Sequence, residues 1–183
     1  MTDWKTWKPS MLATLMFVID EARGEVLLIR KKRGLGAGKI NGPGGKIDPG
    51  ETSEQCAIRE TQEELGVTAI SPVKHGELWF QFVDGLSLHV DVFIATAHEG
   101  TAIETDEAIP LWTPLTALPL DEMWADDRFW LEDMLVGRRH FIGRFTFNDD
   151  TMLSNEMEWL DGGPDWQKGS QKAGRVDLCD GLV

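Results

Sequence analysis

The sequence predicts an α+β fold, a mixed sheet flanked by helices, and three observations carry it. Short alternating apolar runs recur from Thr14 to Trp159. Apolar residues at helical spacing occur in two segments, one after Thr52 and one after Asp126. Between them, Asp84-Gly85 separates two alternating runs and is the strongest hairpin signal in the chain.

In chain order, Thr14 to Val18 and Glu25 to Arg30 read as strands joined by a turn at Asp20 to Gly24, and the loop KKRGLGAGKINGPGG follows. Thr52 with Gln55 is a capping-box start, and Gly66 a permissive stop, for a helix of about four turns. Its Ala57, Ile58, Thr61 and Leu65 turn towards a core. Glu77 to Phe82 and Leu86 to Ala95 pair around Asp84-Gly85, and another strand lies near Leu111 and Trp112. A second helix is expected from about Asp127, with Trp130, Leu131, Met134 and Leu135 at core spacing and Gly137 as its stop. His140 to Phe147 and Thr151 to Trp159 form a last hairpin around Asn148 and Asp149. Residues 1–162 read as one domain; 163–183, rich in Gly and polar residues, read as a flexible extension.

The chemistry concentrates between Gly45 and Val67, GKIDPGETSEQCAIRETQEELGV. Glu60, Glu63 and Glu64 stand at i, i+3 and i+4 of the first helix, so their like charges crowd one face and repel. Divalent cations explain such a cluster best, and hard oxygen ligands suit Mg²⁺, with Mn²⁺ as a substitute. Glu51 joins them from the preceding loop. Arg59 can pair with Glu51 or Glu63 and hold the loop Gly42 to Gly50 against the helix. Three glutamates alone would read as a solvated helix face. The full spacing changes that reading, because Gly45, Glu51, Arg59, Glu60, Glu63, Glu64 and Gly66 resemble the Nudix box, Gx5Ex7REUxEExGU, at every fixed position. The one departure is Thr61, where the family usually has an aliphatic residue facing the core.

That resemblance implies the Nudix α/β/α sandwich and metal-dependent hydrolysis of a nucleoside diphosphate linked to a further group, with water as nucleophile. It also implies that Glu60, Glu63, Glu64 and Glu107 hold the metals, with the Gly44 carbonyl as a backbone ligand. Either Glu64 or Glu107 would activate the water, and the residue chemistry leaves that choice open.

A second resemblance covers Met11 to Leu160. KKRGLGAGKINGPGGK and DEMWADDRFW are similar to the base-pocket segments of the oxidised-purine nucleoside triphosphate branch, the 8-oxo-dGTP diphosphatases. It implies that Asn41, Asp126, Asp127 and Trp124 read the base, that Thr14, Lys31, Gly44, Gly45 and Lys46 line the nucleotide site, and that Glu107 in TDE sits near the metals. An Asn amide offers donors and an acceptor, and an indole can stack on any base. Adjacent carboxylates in a shielded pocket titrate as a pair, so one can keep a proton and serve as donor. Their plainer roles, an N-cap at Asp126 and a first-turn acid at Asp127, are compatible with this. Leu35 departs from the aromatic usual in these relatives, which weakens stacking on one face of the base.

Composition narrows the partners. With 18 basic and 31 acidic residues, the formal charge of −13 disfavours nucleic acid and leaves a small nucleoside triphosphate as the expected partner. Cys56 and Cys179 alone, a polar N-terminus and an apolar run, Met11 to Ile19, too short to span a bilayer give the expectation of a reducing, cytoplasmic location without a membrane role; a monomer is the expected state. Trp4, Trp7, Trp112, Trp130, Trp159 and Trp166 read as packing residues, Cys56 as a small helix residue, and His75, His89, His98 and His140 show no ligand spacing. The expected activity is hydrolysis of oxidised purine dNTPs, 8-oxo-dGTP and 2-hydroxy-dATP, to the monophosphate and pyrophosphate. Alternatives are another Nudix substrate, an RNA 5′ end or a dinucleoside polyphosphate, or a nucleotide-sensing module without turnover.

Overall fold

The computed structural model describes residues 2–168. Its backbone is a sheet of β1 (Met11–Asp20), β2 (Glu25–Lys31), β3 (Ile40–Asn41), β5 (Val73–Phe82), β6 (Ser87–Ala95), β8 (Ala108–Pro114), β9 (Phe141–Asn148) and β10 (Thr151–Trp159). The order is β10-β9-β5-β6-β1-β2-β3, with β8 on the other side of β2. β1 runs parallel to β6 and β5 parallel to β9, while the remaining pairs are antiparallel, so the sheet is mixed as expected. A separate ribbon pairs β4 (Thr68–Ile70) with β7 (Ala97–Glu99). β3, β4 and β7 are two or three residues long and carry no periodic signal.

The continuous apolar run of β1 follows from its central place. Met16 and Val18 pack on one face with Ala57 and Leu65 of α1 (Ser53–Leu65), whereas Phe17 and Ile19 pack on the other with Trp130, Leu131 and Met134. A strand covered on both sides must be apolar at every position. The capping box of α1 is present: Thr52 accepts from the Gln55 backbone N–H at 3.2 Å and the Gln55 side chain accepts from the Thr52 N–H at 2.9 Å. Such a cap contributes about 1 kcal/mol. Gly66, at φ 72°, closes the helix.

The second helix is not the single element expected. Asp127–Phe129 is a 3-10 turn, Trp130 breaks from helical geometry at φ −138°, and α2 covers Leu131–Leu135. The cause is local to Trp130. Its buried ring stacks on Phe141 at 5.1 Å and meets Phe17 edge-on, and its indole N–H donates to Asp126 at 3.1 Å. Asp126 therefore makes no side-chain cap, and the chain leaves α2 through Val136, with Arg138 rather than Gly137 in the left-handed region. The core residues are as expected; only the helical continuity is lost. In the last hairpin the tip is Asp149 and Asp150, because Asn148 still pairs with Thr151. Of the tail, Asp165–Lys168 forms a short helix, α3, and the expected flexibility of 169–183 lies outside the described residues. Among the described residues, no helix is long and apolar enough to cross a membrane.

Cross-strand placement also corrects the reading of the histidines. β5–β6 pairing sets His89 Nε2 3.2 Å from Glu77 and 3.7 Å from Asp91, a grouping with metal-holding potential that linear spacing hides. Lys74 already fills it, its ammonium 2.7 Å from both carboxylates. Although Glu77 is substantially buried, His89 and Lys74 hold its carboxyl down to about 2.

His75 is buried and stacked on His140 at 4.6 Å. Burial, with the His140 ring and the Arg138 charge, pushes its pKa down to about 4. The unfolded chain, titrating near 6.5, then binds protons first, so this stability is complete above pH 6.5 and is lost as pH falls towards 4. By pH 5 the loss is about 2 kcal/mol. The variant His75→Phe should keep the stack without the titration, losing less stability than wild type between pH 7.5 and 5 in thermal or urea unfolding.

Candidate active site

Two backbone ladders place the glycine loop. Met16 N–H donates to the Pro43 carbonyl at 2.8 Å and Thr14 N–H to the Gly45 carbonyl at 2.9 Å, so the loop runs beside β1 as a short extra strand. The intervening Gly44 carbonyl has no hydrogen-bond partner among the described residues, while its N–H donates to Glu64 Oε2 at 2.9 Å. The glycines are dictated by contact. A Cβ on Gly44 would strike the Thr14 carbonyl, and one on Gly45 would occupy the Glu60 carboxylate.

Arg59 ties the acidic helix to this loop. Its guanidinium donates to both Glu51 oxygens at 2.8 and 2.9 Å, to Glu60 at 2.7 Å, to Glu63 at 3.1 Å and to the Lys46 carbonyl at 3.2 Å. It thus meets both partners expected for it, and Glu60 besides. The paired guanidinium holds Glu51 down to about 2. Cys56 is buried beneath, receiving a hydrogen bond from the Thr14 hydroxyl at 3.4 Å, and burial raises its thiol to about 11. A thiol so protonated is a packing group.

The glutamates differ in environment. Glu64 is fully buried on the face towards β1, and desolvation raises it to about 7 against the opposing pull of Lys31, 3.8 Å away, and the Gly44 N–H. Glu60 is raised by burial too. Glu63 is half exposed. Glu107 reaches the cluster from the loop before β8, where its charge raises both Glu60 and Glu64, and it pairs with Arg33. Lys32 is committed to Glu104 and the Thr105 carbonyl, which leaves Lys31 as the cation of the KKR run that faces the carboxylates.

This donor set fits a hard divalent ion: oxygen ligands only, with a buried Glu64 and a part-buried Glu60, both raised by desolvation, and beside them a carbonyl without a hydrogen-bond partner among the described residues. Glu60, Glu63, Glu64, Glu107 and the Gly44 carbonyl are the residues that would hold it.

On the opposite face of β1 lies a cavity of about 190 Å³. All ten residues expected at the substrate, Thr14, Lys31, Leu35, Asn41, Gly44, Gly45, Lys46, Trp124, Asp126 and Asp127, line it. The hydroxyl of Thr14 is spent on Cys56, so its backbone side faces the cavity. Asp127 accepts from the Trp124 N–H at 2.9 Å, and Asp126 Oδ2 from the Trp130 indole; Asp126 Oδ1 is buried with no hydrogen-bond partner among the described residues. Burial raises both carboxyls, and the charge of Asp126 raises Asp127 further. Leu35 is half exposed at the mouth. The apolar walls, including Leu78, Phe80, Phe82, Val90 and Phe147, were legible in the sequence only as core-facing strand positions.

A mixed sheet between helices, with a carboxylate helix braced on a glycine loop at one end of a base-sized cavity, defines a class of nucleotide-processing fold. The chain belongs to the Nudix family: residues 9–134 match the NUDIX domain. It is 42% identical over 151 residues to the oxidized purine nucleoside triphosphate hydrolase of Danio rerio, covering 81% of this chain and 95% of that protein. It is 41% identical to its Mus musculus counterpart over 154 residues, 83% and 97% of the two chains. Among solved structures, the mutator MutT protein of Bacillus halodurans superposes with a TM-score of 0.71 at 28% identity, over 84% of this chain and 99% of that one. The metal dependence general to Nudix hydrolases agrees with the oxygen-rich donor set.

Arg59→Ala would leave Glu51, Glu60 and Glu63 without their shared counter-charge. In EDTA this should cost about 2 kcal/mol of unfolding free energy, and millimolar Mg²⁺ should shrink the deficit. Chemical denaturation of both proteins with and without Mg²⁺ measures it; an equal deficit in both conditions would show that Arg59 braces the loop independently of the metal site.

Proposed function

We propose that this Nudix hydrolase cleaves oxidised purine nucleoside triphosphates, 8-oxo-dGTP and 2-hydroxy-dATP, to the monophosphate and pyrophosphate, so sanitising the nucleotide pool. The observation that carries the reading is the cavity with two buried adjacent carboxyls, one with an oxygen awaiting a partner, joined by its own wall at Gly44 to Lys46 to the acidic helix. The relatives named as oxidized purine nucleoside triphosphate hydrolases, matched over nearly their whole length, support the same substrate class.

In this reading the base enters between Trp124 and the apolar walls, and the Asn41 amide and the Asp126–Asp127 pair meet its edge. A purine bearing both donors and acceptors needs both in return, and the raised carboxyls supply a protonated donor beside an ionised acceptor. The phosphates then lie along Gly44 to Lys46, with Lys31 offering a positive charge. Glu60, Glu63, Glu64 and Glu107 with the Gly44 carbonyl would hold Mg²⁺, for which Mn²⁺ could substitute, and a bound ion would supply positive charge against the negative charge that builds on the phosphate oxygens during hydrolysis. Glu64 is held at Oε2 by Gly44, which leaves Oε1 to take the proton of the attacking water; Glu107, paired with Arg33, is the second candidate. The acidic surface supports a small nucleotide partner rather than nucleic acid, and we extend the proposal to a monomer acting in the cytoplasm.

Steady-state turnover of oxidised and normal dNTPs with Mg²⁺, with product identification, tests the assignment. The wild type should prefer 8-oxo-dGTP over dGTP and release pyrophosphate. Glu64→Gln should lose at least about a hundredfold in kcat while remaining folded. No preference for oxidised purines, or near-normal kcat in the variant at saturating metal and substrate, would overturn the substrate and the catalytic assignment respectively.

Asp127→Asn fixes one hydrogen-bonding pattern where the carboxyl pair can present two. The ratio of kcat/KM for 8-oxo-dGTP to that for 2-hydroxy-dATP should move about tenfold, roughly 1.4 kcal/mol in discrimination. The wild-type ratio should drift with pH as the pair loses its shared proton, and the variant should flatten that drift. If both substrates fall together at every pH, Asp127 serves the Trp124 turn alone.

A further inference from the structure

Resting on the reading of the cavity as a purine site, we infer that Lys39 is a specificity-determining positioning residue, which sets Trp124 as the base platform by joining three separate chain segments around it. The ammonium of Lys39 stands 5.0 Å over the Trp124 ring and 3.0 Å from Asp150 in the β9–β10 turn. Trp124 lines the cavity, whereas Lys39 lies outside its wall. The cation therefore backs the indole from outside and does not compete with a base for the cavity. The indole meets Phe82 and Phe147 in T-shaped contacts, with ring centroids 6.3 and 5.5 Å apart.

The loop that carries Lys39 is pressed against the same ring. A Cβ on Gly36 would lie 3.0 Å from the Trp124 indole nitrogen, so the backbone there runs as close to the ring as a glycine permits. One residue earlier is Leu35, the exposed apolar residue at the cavity mouth. A second cation ties the same stretch of the loop to the Trp124 segment: Arg30 donates to the Gly38 carbonyl at 3.0 Å and to Glu122 at 2.6 Å. Loop, indole segment and last hairpin are distant in sequence, and the Lys39 side chain reaches from the first to the other two.

Ion pairing with the exposed Asp150 would by itself be weak, since surface pairs are screened. The cation over an indole adds an attraction that depends on the ring being held flat beneath it. Loss of Lys39 should therefore loosen the platform, not the carboxylate site. With its ammonium committed to Asp150 and Trp124, Lys39 acts on the base half of the substrate, and Lys31 acts on the phosphate half.

The test uses the full chain as wild type, Lys39→Met and Lys39→Arg, assayed with 8-oxo-dGTP, dGTP and dTTP, alongside binding of 8-oxo-dGMP in EDTA by tryptophan fluorescence. Lys39→Met should raise KM for 8-oxo-dGTP about three- to tenfold with kcat within about twofold, and weaken 8-oxo-dGMP by the same factor. Lys39→Arg should restore both, and thermal unfolding should show Lys39→Met to be folded. The inference is overturned by a loss in kcat with KM unchanged, by an equal loss for dTTP, or by unaltered 8-oxo-dGMP binding. A wild type that does not favour 8-oxo-dGTP removes the functional reading and this inference with it; a wild type that does, with Lys39→Met keeping the full preference, removes this inference alone.

Discussion

The structure turns on the contact between the Gly44-Gly45 backbone and the carboxylates of α1. With no side chain at either position, the loop can hydrogen-bond β1 on one side and Glu64 on the other, and pack directly against the Glu60 carboxylate. α1 is thereby set at a fixed depth over the sheet, and Glu64 is buried where it would otherwise be solvated. Burying several acids in one place is costly unless opposite charge is supplied. Arg59 supplies part of it from the side of the loop and Lys31 part from β2, while the remaining negative charge is what suits the site to a divalent ion.

β1 divides the chemistry between its two faces. Met16 and Val18 support the acidic helix, and on the other side Ala13 and Leu15 belong to the cavity wall. The glycine loop runs along the edge of that strand and is shared by both halves, so a ligand with an aromatic base and a phosphate chain can reach both at once. The cavity walls are apolar, and the buried polarity is concentrated in Asp126 and Asp127, each anchored by a tryptophan, through the indole N–H of Trp130 and the backbone N–H of Trp124. Two carboxyls held in that setting resist ionising together, which gives the pair a donor as well as acceptors.

The elements that departed from expectation did so where a side chain had a competing demand. The pattern at Trp130, Leu131, Met134 and Leu135 correctly marked a buried helical face, yet the indole's place between Phe17 and Phe141 and its bond to Asp126 interrupted the helix. His89 looked isolated because Glu77 joins it and Asp91 only through strand pairing, and Lys74 then fills the space between the two carboxylates. β3, β4 and β7 were invisible because two or three residues carry no period.

Whatever depends on spacing within one segment is readable along the chain: the capping box and glycine stop of α1, the shared face of Glu60, Glu63 and Glu64, the hairpin at Asp84-Gly85 and the double-sided apolar character of β1. Helix and strand periods are local, so those features can be read without knowing what lies opposite. Packing settled the rest: that Arg59 would serve three glutamates, that Lys31 and not Lys32 or Arg33 would face Glu64, and that Asp126 would bond the Trp130 indole instead of capping a helix. Those outcomes depend on which strand ends lie side by side and how deeply each group is buried. Burial and long-range pairing set charge and proton affinity, and neither is written in the distance along a chain.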